Sequence, residues 1–332
     1  MTTSIGRNSG STATPKKATF SYWLKGRADG TQQGIWGWHR GNDAANYWLG
    51  VYYSTNDSMY FNWKQGGSYG TIRGTSQKFR DPSAWGHHVI SIDSTLSTAA
   101  DRVKWYVNGE RITSFEDSSY TLAENATITN WSNAQDKMEI GTWYQSSTAR
   151  NLNNHCLSHF HFTDGYAYQA SSFGSTDSTT GQWTINTAPS VTYGNEGFFV
   201  LKDGNTITDS SPNSNNFSLD GGTLTKTEDC PDNNFTTFNP LTYHFSNQWQ
   251  ANTNGNTTAN GGSGSAWKTI LTTLGDTSGK YYFEAKLITL GSNCIIGAVD
   301  INDSRQNSST EWYMGQSSTG QGYQNNGAAS NG

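Results

Sequence analysis

The sequence has little of what builds disulfide frameworks, membrane spans or nucleic-acid interfaces. It holds 3 cysteines and 6 prolines in 332 residues, and only 33% of the residues are hydrophobic. The cysteines, Cys156, Cys230 and Cys294, are odd in number and far apart, which indicates neither a disulfide framework nor a paired-cysteine metal site. No apolar run approaches the roughly 18 residues that a membrane-spanning helix needs, so we expect no membrane partner.

Charge is also scarce. Only 14% of the residues are charged, the net charge is -5, and no run of Lys or Arg occurs. The sequence therefore lacks the basic patch that nucleic-acid binding requires, and we expect no nucleic-acid partner. Residues 1–17 contain no apolar segment of the kind found in signal peptides, so we expect synthesis in a cytoplasm.

What the sequence does have is aromatic side chains and glycine. Aromatic residues make up 13% of the chain, and 36 residues are glycine. Short runs such as "ATFSYWLKG", "NYWLGVYYS" and "HHVISIDS" alternate between two faces and are separated by clusters of Gly, Asn and Asp. Many short strands without helical periodicity predict an all-β fold, an antiparallel two-sheet jelly-roll sandwich.

The segment "RVKWYVNGERIT", residues 102–113, is the clearest local signal. Asn-Gly tolerates the positive φ angles of a tight hairpin turn. The register predicts Glu110 opposite Val107 and Arg111 opposite Tyr106, with Trp105 and Ile112 together on the buried face. The face of Tyr106 and Arg111 should then be the wetter one.

The distribution of strand-like and turn-rich segments along the chain predicts three regions. Residues 1–205 carry the ordered strands and should form the jelly roll. Residues 206–240 are rich in turn residues and are predicted to be a loop-rich linker. Residues 241–332 contain a second strand-rich segment, "GKYYFEAKLITLGSNCIIGAVDI", and predict a second, partial β-sandwich.

Several segments resemble a known family. "KATFSYWLKG", "HFHFTDGYAYQASSFGSTDSTTGQW" and "YGNEGFFV" are similar to the laminin-G-like, concanavalin A-like module of bacteriophage structural proteins, over roughly residues 5–205. The segment after residue 279 resembles the first strands of a SPRY-like domain, with "GKYYFEAKLI", "NCIIGAVDI" and "TEWYMGQ" as the expected strands. The resemblance implies a virion structural protein on the head, tail or fibre surface. It also implies other virion proteins and a host-surface glycan as partners, and a homo-oligomer, trimeric or higher. Because the SPRY-like part stops early, we expect a longer natural chain.

Catalysis is not expected. Retaining glycosidases need two carboxylates roughly 5 Å apart, which jelly-roll strands often supply as an alternating E-x-D-x-E run. No such run occurs, and Glu139 and Glu284 each stand alone in their strands. We therefore predict a protein that binds and is not an enzyme. Two alternatives stay open: a secreted or surface carbohydrate-binding adhesin, and a polysaccharide depolymerase whose carboxylates meet across loops.

Two features of the sequence bear on metal binding. His155, His159 and His161 lie near Cys156 but are best read as structural, with His159 and His161 facing solvent and Phe160 and Phe162 in the core. No metal ligands or cofactor are predicted, although calcium stays open because laminin-G-like domains often bind it in loops such as "RGNDAAN".

Trp143 and Tyr144 are the predicted glycan-binding residues. They follow a strand in the family's variable loop, and sugars stack on exposed aromatic faces. The alternative is that both side chains simply cap the sandwich core.

Overall fold

The structure, a computed structural model, divides into two compact units, Met1–Asn234 and Phe235–Gly332. It describes residues 3–10, 15–26, 30–145, 148–152, 155–204, 206–243, 251–261, 267–275, 277–289, 293–300, 302–303 and 319–331. Among these residues no helix is long and apolar enough to cross a membrane.

The described part of the first unit is built almost entirely from strands. These are β1 Ser4–Asn8, β2 Lys17–Lys25, β3 Gln33–Arg40, β4 Trp48–Tyr53, β5 Met59–Gln65, β6 Ser68–Thr75, β7 Trp85–Asp93, β8 Val103–Val107, β9 Glu110–Arg111, β10 Phe115–Asp117, β11 Asp136–Ile140, β12 Thr142–Gln145, β13 Thr148–Asn151, β14 Cys156–Asp164, β15 Gly174–Thr176, β16 Trp183–Ile185, β17 Phe198–Val200 and β18 Ser218–Gly221. Its described helices are two short 3-10 turns, Ala99–Asp101 and Ala170–Ser172.

Two antiparallel sheets form a sandwich, which confirms the predicted fold class. The front sheet has the order β10-β6-β5-β4-β3-β11-β1-β18, and the back sheet has the order β17-β14-β2-β7-β8-β9. Two further pairs of strands, the β12–β13 and β15–β16 hairpins, lie outside the two sheets. Strand β18, from the segment predicted to be a linker, pairs with β1 at the edge of the front sheet.

The predicted hairpin at residues 102–113 is confirmed. Asn108 and Gly109 have φ angles of 47° and 84°, and the register pairs Val107 with Glu110 and Tyr106 with Arg111. Trp105 is 1% exposed, as the alternation requires. Tyr106, expected on the wetter face, is buried as well, because it packs against Phe173 in a layer that covers the back sheet.

Aromatic rings fill the space between the sheets. Phe20 of the back sheet stacks on Trp36 of the front sheet at 4.3 Å between ring centroids, and Phe162 stacks on Phe20 at 4.8 Å. Trp131 packs edge-on against Phe162 and donates its indole N–H to Asp164. Large rings therefore supply the buried apolar area that a chain poor in aliphatic residues lacks.

The outer face of the back sheet corrects one sequence prediction. His159 and His161 were expected to face solvent, but they are 3% and 2% exposed. The ring centroids of His161 and Phe199 are 3.8 Å apart, and Nδ1 of His161 is 2.9 Å from the hydroxyl oxygen of Tyr193. The segment after β14 returns over this face, which a period-two pattern does not reveal. Phe160 and Phe162 are in the core, as predicted.

The second unit contains three small antiparallel sheets in its described part. Its strands are β19 Phe238–Tyr243, β20 Ala251–Thr253, β21 Thr258–Asn260, β22 Ile270–Thr272, β23 Ile295–Val299, β24 Gly320–Gln324 and β25 Ala329–Asn331. The predicted strand in "NCIIGAVDI" is confirmed by β23. The predicted strand in "GKYYFEAKLI" is wrong, because residues 280–287 form no strand and Tyr282 is 83% exposed. The expected strand "TEWYMGQ" lies outside the described residues.

Candidate functional site: the outer face of the front sheet

One row of side chains crosses the outer face of the front sheet. Neighbouring members of the row are directly opposite one another on adjacent strands: Asn8, Lys137, His39, Trp48, Lys64 and Tyr69. The row exists because residues that alternate with core residues point outward. In "DKMEI", for example, Met138 and Ile140 enter the core while Lys137 and Glu139 face away from it. Asn8, Lys137 and His39 thus form a polar end of the row. The other end carries the rings of Trp48 and Tyr69, with Lys64 between them.

Three of the six residues in the adjacent row are glycines, which have no side chain to project from the sheet. Its members are Gly6, Glu139, Gly37, Gly50, Asn62 and Ile72, again paired across the strands. Gly37 and Gly50 lie in the interiors of β3 and β4, where glycine usually marks a close approach by another group. A Cβ added at either position would come within 2.4 Å of Cδ1 of Trp143. The two glycines therefore form a floor for that indole.

Trp143 is fully buried on this floor, with 0% exposure. Its ring is parallel to that of Tyr52, with an interplanar angle of 5° and centroids 4.3 Å apart, and it meets Trp48 edge-on at 5.3 Å. The expectation that Trp143 is an exposed platform for a sugar is wrong, because the β12–β13 hairpin turns the indole inward onto the sheet. The indole does not join the core between the sheets either.

Tyr144, the second predicted glycan-binding residue, is only partly buried. Its ring lies 4.4 Å from the imidazole of His39 at an angle of 35°. Burial, together with the negative charge of Glu139, raises its pKa. The residue thus lies beside the polar end of the row, and its role in glycan binding stays a prediction.

The polar end is a compact charge cluster around Lys137. The ammonium Nζ lies 3.1 Å from Oε1 of Glu139 and 3.0 Å from Oδ2 of Asp220. Nδ1 of His39 is 3.4 Å from Oε2 of Glu139. Burial of His39, with a smaller effect from Lys137, lowers its pKa to about 4, so the imidazole is neutral at pH 7. Burial raises the pKa of Glu139, although Lys137 opposes that shift.

A depression of about 420 Å³ opens next to this cluster. It is lined by Asn8, His39, Gly41, Asn42, Ala134, Gln135 and Lys137. Amides, an imidazole and an ammonium offer hydrogen-bond donors and acceptors in several directions, and Tyr144 adds a ring beside His39. This combination of a few polar groups with a nearby ring suits a polyhydroxylated ligand better than an apolar one.

Three buried polar atoms in and next to these two rows stand out. Nε1 of Trp48, Nε1 of Trp143 and Oδ1 of Asn62 are buried with no hydrogen-bond partner among the residues that the structure describes. The amide nitrogen of Asn62 does donate to the hydroxyl of Tyr52 at 3.2 Å. A buried polar group without a partner costs about 1–3 kcal/mol, so three in one cluster are a substantial local cost.

Within the described residues no group of three or more His, Cys, Asp or Glu side chains is arranged to hold a metal ion. The buried histidines of the back sheet are engaged elsewhere. His87 accepts the indole N–H of Trp183 at Nδ1 and lies 2.9 Å from the hydroxyl of Ser21 at Nε2. A calcium site in the loops stays an untested expectation.

Sequence analysis missed His39, Lys137, Glu139 and Asp220 as one cluster. The pairing of β11 with β3 and β1 unites the first three, and β18 brings Asp220 from more than eighty residues away. Two signals were present in the sequence. Gly37 and Gly50 interrupt strands rich in large residues, and Lys137 and Glu139 alternate with apolar neighbours.

Comparison with known proteins gives a likeness of fold only. No protein-family model and no curated protein matches the chain. A heptameric SAP-like pentraxin from Limulus polyphemus is 12% identical over 61% of this chain and 87% of its own, with a TM-score of 0.37. Domains LG4-5 of mouse laminin α1 are 11% identical over 63% of this chain and 48% of theirs, with a TM-score of 0.36.

A third similar structure is CBM40 of the Ruminococcus gnavus IT-sialidase, solved bound to α2,6-sialyllactose. It is 14% identical over 46% of this chain and 82% of its own, with a TM-score of 0.33. At these identities and TM-scores the likenesses carry no statement about what this chain binds.

Proposed function

We propose that the chain is a non-catalytic structural protein of a bacteriophage particle whose front sheet binds a neutral glycan of the host surface. The observation that carries the binding role is the depression lined by Asn8, His39 and Lys137, with the ring of Tyr144 beside it. The virion role rests on the sequence segments that resemble phage laminin-G-like modules. The depression and these segments support different parts of the proposal, so each part has its own test.

The charges of the site favour a neutral glycan. Lys137 is the cation that lines the depression, and it is already paired with Glu139 and Asp220. His39 is neutral at pH 7 and adds no positive charge to the cluster. A glycan carboxylate would meet like charge here, and like charges within a few ångströms disfavour each other. Hydroxyl groups meet no such penalty.

Weak sites fit an assembled particle. An open depression that contacts one or two sugar rings gives modest affinity, and repetition of the site in a symmetric oligomer raises the overall avidity. We therefore propose a homo-oligomer, trimeric or higher, held to other virion proteins. A secreted or surface adhesin remains the alternative, and the location of the protein separates the two.

Calorimetric titration tests the binding role. Native protein is titrated with maltotetraose, cellotetraose, galactotetraose and chitotetraose, and with sialyllactose as the acidic probe. We expect at least one neutral probe to bind, and Tyr144→Ala to weaken that binding about tenfold, which corresponds to about 1.4 kcal/mol. Tyr166→Ala is the control, because Tyr166 is 42% exposed and stacks on Tyr168, which packs over the back sheet.

Preferential binding of sialyllactose, or equal affinity of native protein and Tyr144→Ala, would contradict the proposed site. Mass spectrometry of purified phage particles tests the virion role. The peptides of this chain should be present in stoichiometric amount. Their presence only in culture medium or on bacterial surfaces would favour the adhesin.

A further inference from the structure

The geometry around Trp143 points to a second, covered sugar subsite. We propose that its indole is a displaceable plug over a subsite formed by Tyr52, Trp48 and Asn62, and that an oligosaccharide bound in the depression extends into this subsite when the indole leaves. The inference rests on the proposed glycan-binding function and deepens it. It assigns the subsite a neutral sugar ring.

The shape of the subsite is that of a flat ring. Gly37 and Gly50 leave no Cβ on the floor, and the indole of Trp143 fills the space to within 2.4 Å of where those Cβ atoms would be. Tyr52 forms a parallel wall 4.3 Å from the indole centroid. The apolar face of a sugar ring stacks on a tyrosine in the same manner, so the indole occupies the place of such a ring.

The polar atoms of the subsite match hydroxyl groups. Nε1 of Trp48 is a donor and Oδ1 of Asn62 is an acceptor, and within the described part of the chain neither has a partner while the indole is in place. Nε1 of Trp143 is buried without a partner as well. A hydroxyl both donates and accepts, so a sugar satisfies what an indole leaves unmet, and departure of the indole hydrates its own N–H.

One wall of the subsite lies next to the lining of the depression. Trp48 lies directly opposite His39 on adjacent strands, and His39 lines the depression. Adjacent strands are about 4.8 Å apart, which is close to the length of one sugar unit. Tyr144 follows Trp143 in β12, so contact of a glycan with Tyr144 would act directly on the strand that holds the plug.

Titration of Trp143→Ala tests the plug. For the tetrasaccharide that the native protein binds best among the four neutral probes, we expect at least about tenfold tighter binding, because no displacement is required. The matching disaccharide, which fits the depression alone, should bind both proteins equally. Trp183→Ala is the control: Trp183 is a partly buried indole over the other sheet, and its removal should leave tetrasaccharide binding unchanged.

A second measurement follows Trp143 in the native protein itself. In native chain labelled with 5-fluorotryptophan, the Trp143 resonance, assigned with Trp143→Phe, should shift when the same tetrasaccharide is added. It should stay fixed with the disaccharide. An unmoved Trp143 resonance at saturating tetrasaccharide would overturn the plug, whether or not Trp143→Ala folds.

The outcomes separate the two proposals. Native binding that is unaffected by Trp143→Ala contradicts the covered subsite and leaves the depression intact as a site. Absence of binding by both proteins to every neutral probe contradicts the proposed function and the subsite together. Tighter binding of tetrasaccharide and disaccharide alike also overturns the subsite, because it would mean that Trp143 acts on the depression alone.

Discussion

Gly37 and Gly50 are directly opposite each other on adjacent strands of the front sheet, and the indole of Trp143 lies on both. This contact leads to the first prediction. In Gly37→Ala the new Cβ would lie 2.4 Å from Cδ1 of Trp143, so the indole must lift. We expect a loss of about 1–3 kcal/mol in the free energy of unfolding, as for other overpacked sites, and a red shift in tryptophan fluorescence.

Gly86→Ala is the matched control for that substitution. Gly86 is also inside a strand, β7, but the nearest atom to its added Cβ is Nε2 of His88 at 3.5 Å, which is ordinary contact. Its stability should change little, and urea denaturation measures both variants. Equal stability of Gly37→Ala and native protein would mean that Trp143 does not press on the floor.

A second prediction concerns the ion pair that fastens the end of the first unit. Nζ of Lys25 lies 2.7 Å from Oδ2 of Asp229, with side-chain exposures of 2% and 0%. Trp85 donates its indole N–H to the same oxygen at 2.9 Å. Asp229→Ala leaves a buried cation without this partner, so we expect a loss of about 3–5 kcal/mol in the free energy of unfolding.

Lys17→Ala is the control for the ion pair. Lys17 pairs with Asp93 at 3.0 Å, but its side chain is 42% exposed. Such exposed pairs contribute less than about 1 kcal/mol. Thermal and urea denaturation of the two variants give the comparison. If Asp229→Ala costs no more than Lys17→Ala, the buried pair does not stabilise the sandwich.

The sequence predicts the sandwich better than it predicts the site, for a physical reason. Alternation along a strand shows which side chains share a face, and the Asn108-Gly109 turn shows how two strands pair. Alternation does not show what covers a face. Tyr106 and His161 are on the faces expected, yet later segments of the chain bury them. The site depends on pairing between distant strands, so Asp220 could not be placed beside Lys137 from local pattern.

Acid sensitivity is the third prediction. Burial lowers the pKa of His87 and of His88 to about 3, against about 6.5 in an unfolded chain. The unfolded state therefore binds more protons than the folded state between these values. The stability contributed by each neutral histidine is fully present above pH 6.5 and is lost as the pH falls towards 3, by about 1.4 kcal/mol per pH unit.

Urea denaturation at pH 7, 6 and 5 measures this slope. In His88→Gln the free energy of unfolding should depend less steeply on pH, because glutamine does not titrate. For each protein the change is measured relative to its own stability at pH 7, which removes the lower stability of the variant. Burial raises the pKa of Asp164, which favours the folded state on acidification, so the difference between variant and native protein is the quantity to compare. Parallel pH profiles for the two proteins would contradict the assignment of the slope to His88.

The last prediction is that the protein does not hydrolyse polysaccharides. Glu139 and Asp220 both contact Nζ of Lys137, so the structure does bring two carboxylates together across distant strands, as the depolymerase alternative requires. Glycoside hydrolases use a pair of carboxyl groups roughly 5–10 Å apart. The ammonium between them argues against catalysis, because Lys137 opposes the rise in the pKa of Glu139 that burial causes, and its Nζ occupies the space between the two carboxylates that a scissile bond would need. A hydrolase needs one of the two to donate a proton.

We therefore expect no reducing sugar to be released from the four neutral tetrasaccharides by the native protein. Release by native protein that disappears in both Glu139→Gln and Asp220→Asn, with folding retained, would instead establish the depolymerase, and the depression would then be its substrate site.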